Sequence, residues 1–235
     1  MKTYLDLAEI EELEESATCM RDKLLIRILV RTGCRISELL ALKVQDIDFK
    51  NETVTIAHLK TKLNLSCPEC SVRLARSHKF CPGCGISVEK PVAKALEKER
   101  RRVIPIDRES LELLEDFIIK DRTKDLIFQV TPTRAFQVVK ECAEKAGLPK
   151  LVHPESGKEH HVSPHKLRDA FAVHAVQVDD SGDGLRMLQY HLGHQNINTT
   201  MRYRKLSGAE HKEWYDKILE QVHSKTGTNK LNGAE

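Results

Sequence analysis

The 235-residue sequence lacks the features that mark several large classes of protein. No segment approaches the roughly 18 consecutive apolar residues that a membrane-spanning helix needs. The first fifteen residues are acidic and helical in pattern, unlike a signal peptide. Internal repeats and low-complexity tracts are also missing. We therefore expect a cytoplasmic globular protein without a membrane partner, with one main core and a small accessory module.

An excess of charge of one sign is missing as well. The 38 Lys and Arg residues nearly balance the 35 Asp and Glu residues, and the net charge of +3 is too small to indicate a nucleic-acid partner by itself. Charge is concentrated only locally, in the basic run formed by Lys98, Arg100, Arg101 and Arg102. This run is interpreted either as a solvated face or as a surface that contacts phosphate.

The seven cysteines need an explanation other than disulfides, because a reducing compartment disfavours disulfides. Four of them form two C-x-x-C knuckles, each with proline after its first cysteine, separated by ten residues. Two such turns complete a tetrahedral sulfur site, whereas redox C-x-x-C motifs usually come singly beside a βαβ unit. With four protein ligands no position is left for water, so no catalytic metal is expected. The pattern predicts a zinc ribbon over 63–89 with one structural Zn²⁺ held by Cys67, Cys70, Cys81 and Cys84.

Apolar periodicity and capping signals predict an α+β chain that is mostly helical. Strand-like segments at 44–49, 53–59 and 102–106 would form a small three-stranded sheet, into which the cysteine module is inserted at a loop tip. The remaining cysteines, Cys19, Cys34 and Cys142, lie on helical apolar patterns and are expected in the core. Glycine marks the main breaks, at 33, 147–149 and 181–184. Helices are expected from a capping box at Asp6 to about 16, before Gly33, and over 36–42, 109–120, 133–146, 164–178, 184–191, 198–205 and 208–224.

Polar residues stand out in three otherwise apolar helical stretches. They are Thr32-Gly-Cys-Arg35-Ile-Ser-Glu38-Leu-Leu, His165-Lys-Leu-Arg168-Asp-Ala-Phe, and Leu192-Gly-His194 with Thr199-Thr-Met-Arg-Tyr203. Spacing i, i+3 puts His165 and Arg168 on one face of a helix. Taken singly, Arg35 fits a surface arginine, the His165 and Arg168 pair fits a hydrogen bond on a helix surface, and His194 fits a core histidine. Their joint occurrence favours a functional site.

In order and spacing, these three stretches resemble the signature boxes of the tyrosine recombinase, or phage integrase, family. The resemblance covers nearly the whole chain outside the ribbon. It implies a catalytic lysine in the hairpin after the first box, at Lys60, with Lys62 and Lys98 as alternatives. Glu38 would support the first arginine. Tyr190, the main competing nucleophile, is interpreted as a packing residue because it lies one helical turn after Met187. The implied catalytic set is Arg35, Lys60, His165, Arg168, His194 and Tyr203.

The activity implied by this resemblance is site-specific breakage and rejoining of double-stranded DNA through a 3′-phosphotyrosyl intermediate. Two arginines would grip the non-bridging phosphate oxygens, and Tyr203 would attack the phosphorus. Lys60 would protonate the 5′-hydroxyl leaving group, and the two histidines would handle the tyrosine proton and hydrogen-bond the phosphate. Two other interpretations remain: a topoisomerase-like nicking and closing enzyme, and a non-catalytic regulator that reads DNA with the ribbon.

The resemblance also suggests a domain organisation. The catalytic domain would comprise 1–62 and 90–224, followed by a flexible tail at 225–235. Only about twenty residues precede the helix leading to Arg35, so the family's N-terminal clamp domain is expected to be missing. DNA binding would then be weak and would call for a separate DNA-binding partner or for contacts from the ribbon. An apolar stripe on 209–223 would pack on a neighbouring protomer in a homo-oligomer or fold back on its own domain.

Overall fold

The computed structural model describes residues 2–58, 62–75, 77–88, 92–96, 100–123, 125–153, 156–207 and 215. Contacts divide the chain into two compact units, Met1–Ile56 with Arg102–Glu235, and Ala57–Arg101. Several predicted features lie outside the described residues: Lys60, Lys98, the apolar stripe residues Trp214, Ile218, Leu219 and Val222, and the tail.

Three helices open the first unit: α1 (Leu7–Glu15), α2 (Met20–Thr32) and α3 (Ile36–Leu40). The predicted capping box begins α1, since Asp6 Oδ1 accepts from the Glu9 amide and Glu9 Oε2 accepts from the Asp6 amide, both at 3.0 Å. Gly33 ends α2 in the left-handed conformation, with φ of 55°. The local signals therefore predict these helices closely.

Five helices follow: α4 (Arg108–Asp121), α5 (Pro132–Lys145), α6 (Pro164–Val178), α7 (Gly182–Leu192) and α8 (Ile197–Ser207). Proline lies in the first turn of α5 and of α6, where its missing N–H is no loss. The predicted break at 181–184 is too long. Ser181 Oγ accepts a hydrogen bond from the Gly184 amide at 3.0 Å and caps α7. Gly182 and Gly184 therefore both lie in the first turn of α7. Among the described residues, no helix is long and apolar enough to cross a membrane.

Three strands form a small sheet: β1 (Ile47–Asp48), β2 (Thr53–His58) and β6 (Arg100–Pro105). Their order in the sheet is β1-β2-β6. The label β6 follows chain order, because β3, β4 and β5 belong to the second unit. The first strand is shorter than predicted, because Val44–Asp46 forms a 3₁₀ turn in which the Asp46 carboxylate accepts from the Lys43 amide. Buried apolar side chains alternate along the sheet, as period-2 patterning requires, and belong to the same core cluster as residues of the helices. The mostly helical α+β architecture with a small three-stranded sheet is confirmed.

The main core of the first unit lies around α2, whose Leu24, Leu25, Ile28 and Leu29 are fully buried. Cys34 and Cys142 are buried, as predicted. The same prediction is wrong for Cys19, which is exposed at the N-cap of α2, before the buried face of that helix begins. A second cluster packs α6 against α7 and α8 and includes Tyr203.

The second unit is built on antiparallel strands. β3 (Lys62–Ser66) pairs with β5 (Val92–Leu96) over its whole length and with the short β4 (Arg73–Leu74) on its other side. Both knuckles lie between β3 and β5 in the chain. Their small core consists of Cys67, Leu74 and Cys81, with Leu65 and Val88 packed against it. The remaining short strands of the chain, β7 (Leu151–Val152) and β8 (Glu159–His160), form a separate hairpin in the first unit.

Candidate functional site

Arg168 joins the C-terminal ends of α2 and α7. Its Nη1 donates to the carbonyl of Gly33 at 2.6 Å, and its Nη2 donates to the carbonyl of Leu192 at 2.8 Å. Carbonyls at a helix end lack an intrahelical partner and carry partial negative charge, so a guanidinium is well matched to them. Burial, reinforced by the nearby charge of Arg35, lowers the pKa of Arg168 to about 10. Arg168 therefore stays cationic at neutral pH while it holds two helices together.

His194 follows α7 directly and contacts the same guanidinium. Arg168 Nη2 lies 2.9 Å from His194 Nε2, and His194 Nδ1 lies 2.9 Å from Oγ1 of the buried Thr200. An arginine can only donate, so Nε2 accepts, and Nδ1 carries the proton that it donates to Thr200. Burial, followed by the charges of Arg168 and Arg35, lowers the pKa of His194 to about 4. The imidazole is therefore neutral at physiological pH.

Arg35 is the N-cap residue of α3 and is held by Glu38. The Glu38 carboxylate accepts from the Arg35 amide and from Arg35 Nη1, both at 3.0 Å. The side chain of Glu38 is 1% exposed, whereas that of Arg35 is 31% exposed. Arg35 therefore presents a partly open guanidinium whose orientation is set by a buried carboxylate, the contact expected from the sequence.

Arg102 is a buried residue of this network that the sequence reasoning missed. Its Nη2 donates to Glu38 Oε2 at 2.7 Å, and its Nε donates to the carbonyl of His191 at 2.8 Å. The interpretation of the basic run as a solvated or phosphate-contacting surface is wrong for Arg102, although Arg100 and Arg101 are exposed. Alternation along β6 was the available signal, because Arg102 shares the inward face with the buried Ile104.

Gly193, between α7 and His194, lets the backbone approach Arg102 closely. Its φ is 66°, and a Cβ placed there would lie 3.0 Å from Arg102 Nη1. We expect Gly193→Ala to lower the free energy of unfolding by about 2 to 4 kcal/mol, through left-handed backbone strain and crowding. Gly147→Ala is the matched control, since φ is 67° there and the same Cβ would meet nothing within 4 Å. Urea unfolding of both variants measures the difference, and equal losses would contradict close packing by Arg102.

Tyr203 lies on α8 with no exposed surface. Its hydroxyl donates to Asp169 Oδ1 at 3.1 Å and lies 3.2 Å from Arg202 Nη2, which donates to it. The ring stacks beside His194, with centroids 6.2 Å apart and an interplanar angle of 15°. Burial, and then the Asp169 carboxylate, raise the pKa of Tyr203. The phenol is therefore protonated and enclosed.

Asp169 is the second residue that the sequence reasoning missed. Its carboxylate lies 3.7 Å from Lys166 Nζ and 3.5 Å from Arg202 Nη2, in addition to the bond from Tyr203. His165 lies at the edge of this group, with its Nε2 4.0 Å from Asp169 Oδ1 and its side chain 65% exposed. The available signal was a charged residue on the buried face of α6, directly after Arg168.

The first unit thus brings together five of the six predicted catalytic residues, namely Arg35, His165, Arg168, His194 and Tyr203. Lys60 lies outside the described residues. The interpretation of Tyr190 as a packing residue is wrong: its side chain is 59% exposed, beside the exposed Met187. The buried face of α7 is formed by Leu185, Leu188 and Leu192, and Tyr190 lies off that face.

The four knuckle cysteines converge in the second unit. Their sulfur atoms all lie within 4.8 Å of one another. The distance is 3.6 Å from Cys67 to Cys84 and 3.4 Å from Cys70 to Cys81. Zn–S bonds of about 2.3 Å in a tetrahedron put the sulfurs about 3.8 Å apart. The four side chains therefore fit one metal ion of this size.

The chemistry of these thiols also fits a cation. Backbone N–H donors of Cys84 and Gly83 lower the pKa of Cys81 to about 6 and stabilise its thiolate. The N–H of Ile86 lowers the pKa of Cys84 in the same way, but the neighbouring sulfurs outweigh it and raise that pKa to about 12. Four thiolates this close need a positive charge among them.

A family model, a curated relative and solved structures match this chain. The model of the phage integrase family matches residues 4–69 and 86–210, and the interruption contains three of the four knuckle cysteines. The tyrosine recombinase XerA of Pyrococcus horikoshii is 28% identical over 210 residues, covering 89% of this chain and 59% of that protein. The crystal structure of a XerA recombinase matches with a TM-score of 0.63 at 19% identity, over 93% of this chain and 64% of that one.

A further solved structure is the XerH site-specific recombinase bound to its difH substrate in a pre-cleavage complex. It matches with a TM-score of 0.56 at 24% identity, over 86% of this chain and 50% of that one. At such identities the structural matches show the fold. The chain spans less than two thirds of the length of the relatives described.

Proposed function

The chain belongs to the phage integrase family, and we propose that it is a site-specific DNA recombinase or integrase. It would cleave and rejoin double-stranded DNA through a 3′-phosphotyrosyl intermediate. The observation that carries this proposal is the connected set of Arg168, His194 and Tyr203, in which the guanidinium donates to an imidazole that stacks beside the phenol. The site-specific recombinase XerH bound to its difH substrate supports a DNA partner, and we propose that this partner is double-stranded DNA.

In the proposed reaction, the hydroxyl oxygen of Tyr203 attacks the phosphorus of a phosphodiester. A bond forms from that oxygen to phosphorus, and the bond from phosphorus to the 5′ oxygen breaks. Arg35 and Arg168 stabilise the charge that develops on the non-bridging oxygens, an effect commonly worth several kcal/mol in a preorganised site. Lys60 gives the 5′ oxygen its proton. A 5′ hydroxyl from the exchanged strand reverses these steps and releases Tyr203.

The histidines have different roles in this proposal. His194 is neutral, so it adds no charge to the site, and its contact with Arg168, which can only donate, leaves the tautomer that is protonated at Nδ1. The more exposed His165 takes up and returns the tyrosine proton near Asp169. Lys60 is assigned through the family resemblance, with Lys62 and Lys98 as alternatives.

Covalent trapping tests the activity. The full chain is incubated with DNA of its source genome that carries random nicks. Where a nick lies close to the cleaved phosphate, the short strand between them diffuses away. Religation then fails and the covalent intermediate accumulates. After denaturation we expect DNA-linked protein, and mass spectrometry should locate the nucleotide on Tyr203. DNA binding without any covalent product would overturn the proposal. It would favour a non-catalytic DNA-binding regulator, an alternative that the complete burial of Tyr203 supports.

The cysteine module is proposed to be a zinc ribbon at 63–89, inserted into a catalytic domain formed by 1–62 and 90–224. The interrupted family match supports an insertion. Cys67, Cys70, Cys81 and Cys84 would hold one Zn²⁺, which supplies a structural cross-link between the two knuckles.

Metal analysis of the purified chain is expected to find about one zinc per chain, because four thiolates leave the coordination closed. Cys81→Ser should reduce this to near zero, since three remaining sulfurs bind zinc far more weakly. Cys19→Ser is the matched control and should keep the metal, because Cys19 lies at the N-cap of α2, away from the knuckles in the chain. A zinc-free wild type, or full zinc in Cys81→Ser, would contradict the assignment.

Strand exchange joins two DNA sites, so we also propose that several copies of the chain act together on DNA as a homo-oligomer. A separate DNA-binding partner would add phosphate contacts and so strengthen binding. Such a protein would act in the cytoplasm, where reducing conditions keep the knuckle thiols available for metal.

A further inference from the structure

The hydroxyl of Tyr203 is engaged on both sides by charged groups. Its proton is donated to the Asp169 carboxylate, and Arg202 donates to its oxygen. Arg202 Nη2 also lies 3.5 Å from Asp169 Oδ1, so these three side chains form a closed triangle. Because the whole side chain of Tyr203 is buried, its hydroxyl has no open path to a phosphate in this arrangement.

We propose that Asp169 is a positioning residue that holds Tyr203 in a buried, protonated resting state, and that DNA cleavage requires the hydroxyl to leave this carboxylate. The inference rests on the proposed role of Tyr203 as the nucleophile. It assigns a function to the acidic residue that follows the second arginine of the site.

Asp169 is well placed to hold its position while Tyr203 moves. It follows Arg168 on α6, and the Arg168 guanidinium donates hydrogen bonds to the carbonyls of Gly33 and Leu192. Lys166, one turn earlier on α6, also neutralises the carboxylate. The carboxylate is thus held from its own helix, so release of the nucleophile requires Tyr203 to move away from Asp169.

The electrostatics oppose attack from the resting position. In the described part of the chain, the groups that face the phenol are Asp169 and Arg168 from α6, His194 from the turn after α7, and Arg202 from α8 itself. Tyr4 packs against the same cluster from the N-terminal segment. Among these, only Asp169 carries a negative charge, and loss of the phenol proton beside it would bring two anions within 3.1 Å. Asp169 therefore keeps the nucleophile inactive as well as in place.

The first test titrates Tyr203 in the DNA-free chain by NMR, with ¹³C at the tyrosine ring carbon that bears the oxygen. Single Tyr→Phe variants assign the signals. Asp169→Asn keeps the size and one acceptor oxygen but removes the charge. We expect it to lower the pKa of Tyr203 enough to raise the phenolate fraction about tenfold at a given pH.

Arg202→Gln supplies the opposite control, because loss of that cation should raise the pKa of Tyr203. Because unfolding alone would also lower the pKa of Tyr203 toward the ordinary tyrosine value, urea unfolding of each variant confirms that it is folded under the conditions of the titration. An unchanged or raised pKa in Asp169→Asn would overturn the proposal.

The second test measures the rate of covalent trapping against pH. At pH values below the pKa of Tyr203, Asp169→Asn is expected to form the covalent adduct about tenfold faster than the wild type. Its curve of trapping rate against pH should also lie at lower pH. Slower trapping despite a lowered pKa would overturn the resting-state role and would make Asp169 the acceptor of the tyrosine proton. If the wild type forms no adduct, the proposed function fails, while the NMR titration still decides whether Asp169 controls the phenol.

Discussion

Tyr203→Phe is expected to reduce covalent trapping on nicked DNA by at least about a thousand-fold, because phenylalanine has no oxygen to bond to phosphorus. The fold should survive. The change removes one hydroxyl and leaves Asp169 in contact with Lys166 and Arg202, so the cost in unfolding free energy should be about 1 kcal/mol. Denaturing gels of protein and labelled DNA measure the adduct, and urea unfolding measures the stability.

Tyr190→Phe is the matched control for this experiment. It removes a hydroxyl from an exposed tyrosine on the neighbouring helix α7 and should leave both the adduct and the stability close to those of the wild type. Adduct that persists in Tyr203→Phe and vanishes in Tyr190→Phe would move the nucleophile to the exposed residue. DNA affinity should be unchanged in both variants, so a loss of binding would not explain a loss of adduct.

Arg168→Ala is expected to lower both stability and activity. It removes the donors to two buried helix-terminal carbonyls and to His194. Buried acceptors left without partners cost about 1 to 3 kcal/mol each, so the free energy of unfolding should fall by about 2 to 4 kcal/mol. Trapping should fall by about 10² to 10⁴, because a preorganised cation at the phosphate is lost.

Arg168→Lys separates the two effects, since lysine keeps the charge but cannot reproduce the planar fork that reaches two carbonyls at once. We expect intermediate stability with strongly reduced trapping. Arg186→Ala, which removes an exposed arginine from α7, should change neither quantity. Urea unfolding and trapping under fully folded conditions give the comparison. Equal stability of Arg168→Ala and Arg186→Ala would contradict the role of Arg168 in joining α2 and α7.

Several elements of the fold were predictable because their signals are local. The capping box at Asp6, the left-handed Gly33 and the prolines that open α5 and α6 act within one helical turn. The ends of some elements were not predictable in the same way. The 3₁₀ turn shortened the first strand, and Ser181 began α7 two residues early through a bond to Gly184. In both cases a single side-chain bond outweighed the average preference of the segment.

The faces of the helices were harder to predict than their extents. Cys19 was expected in the core and is exposed, and Tyr190 was expected to pack and is also exposed. Both lie at positions where periodicity alone assigns an apolar face too broadly. A residue that precedes the first helical turn, or lies beside a stripe of leucines, has its exposure decided by the elements that pack nearby.

The sequence by itself determined the helical α+β class, the order of the three polar stretches and the spacing of the two cysteine knuckles, because these depend on residues close together in the chain. Only the tertiary structure decided which charges are buried together. Arg102 meets Glu38 across 64 residues, and Arg168 meets Gly33 across 135. The bond from Tyr203 to Asp169 likewise depends on how α8 packs against α6. Such contacts form because helix ends and buried carboxylates need partners, and only the folded chain specifies which partners come within reach.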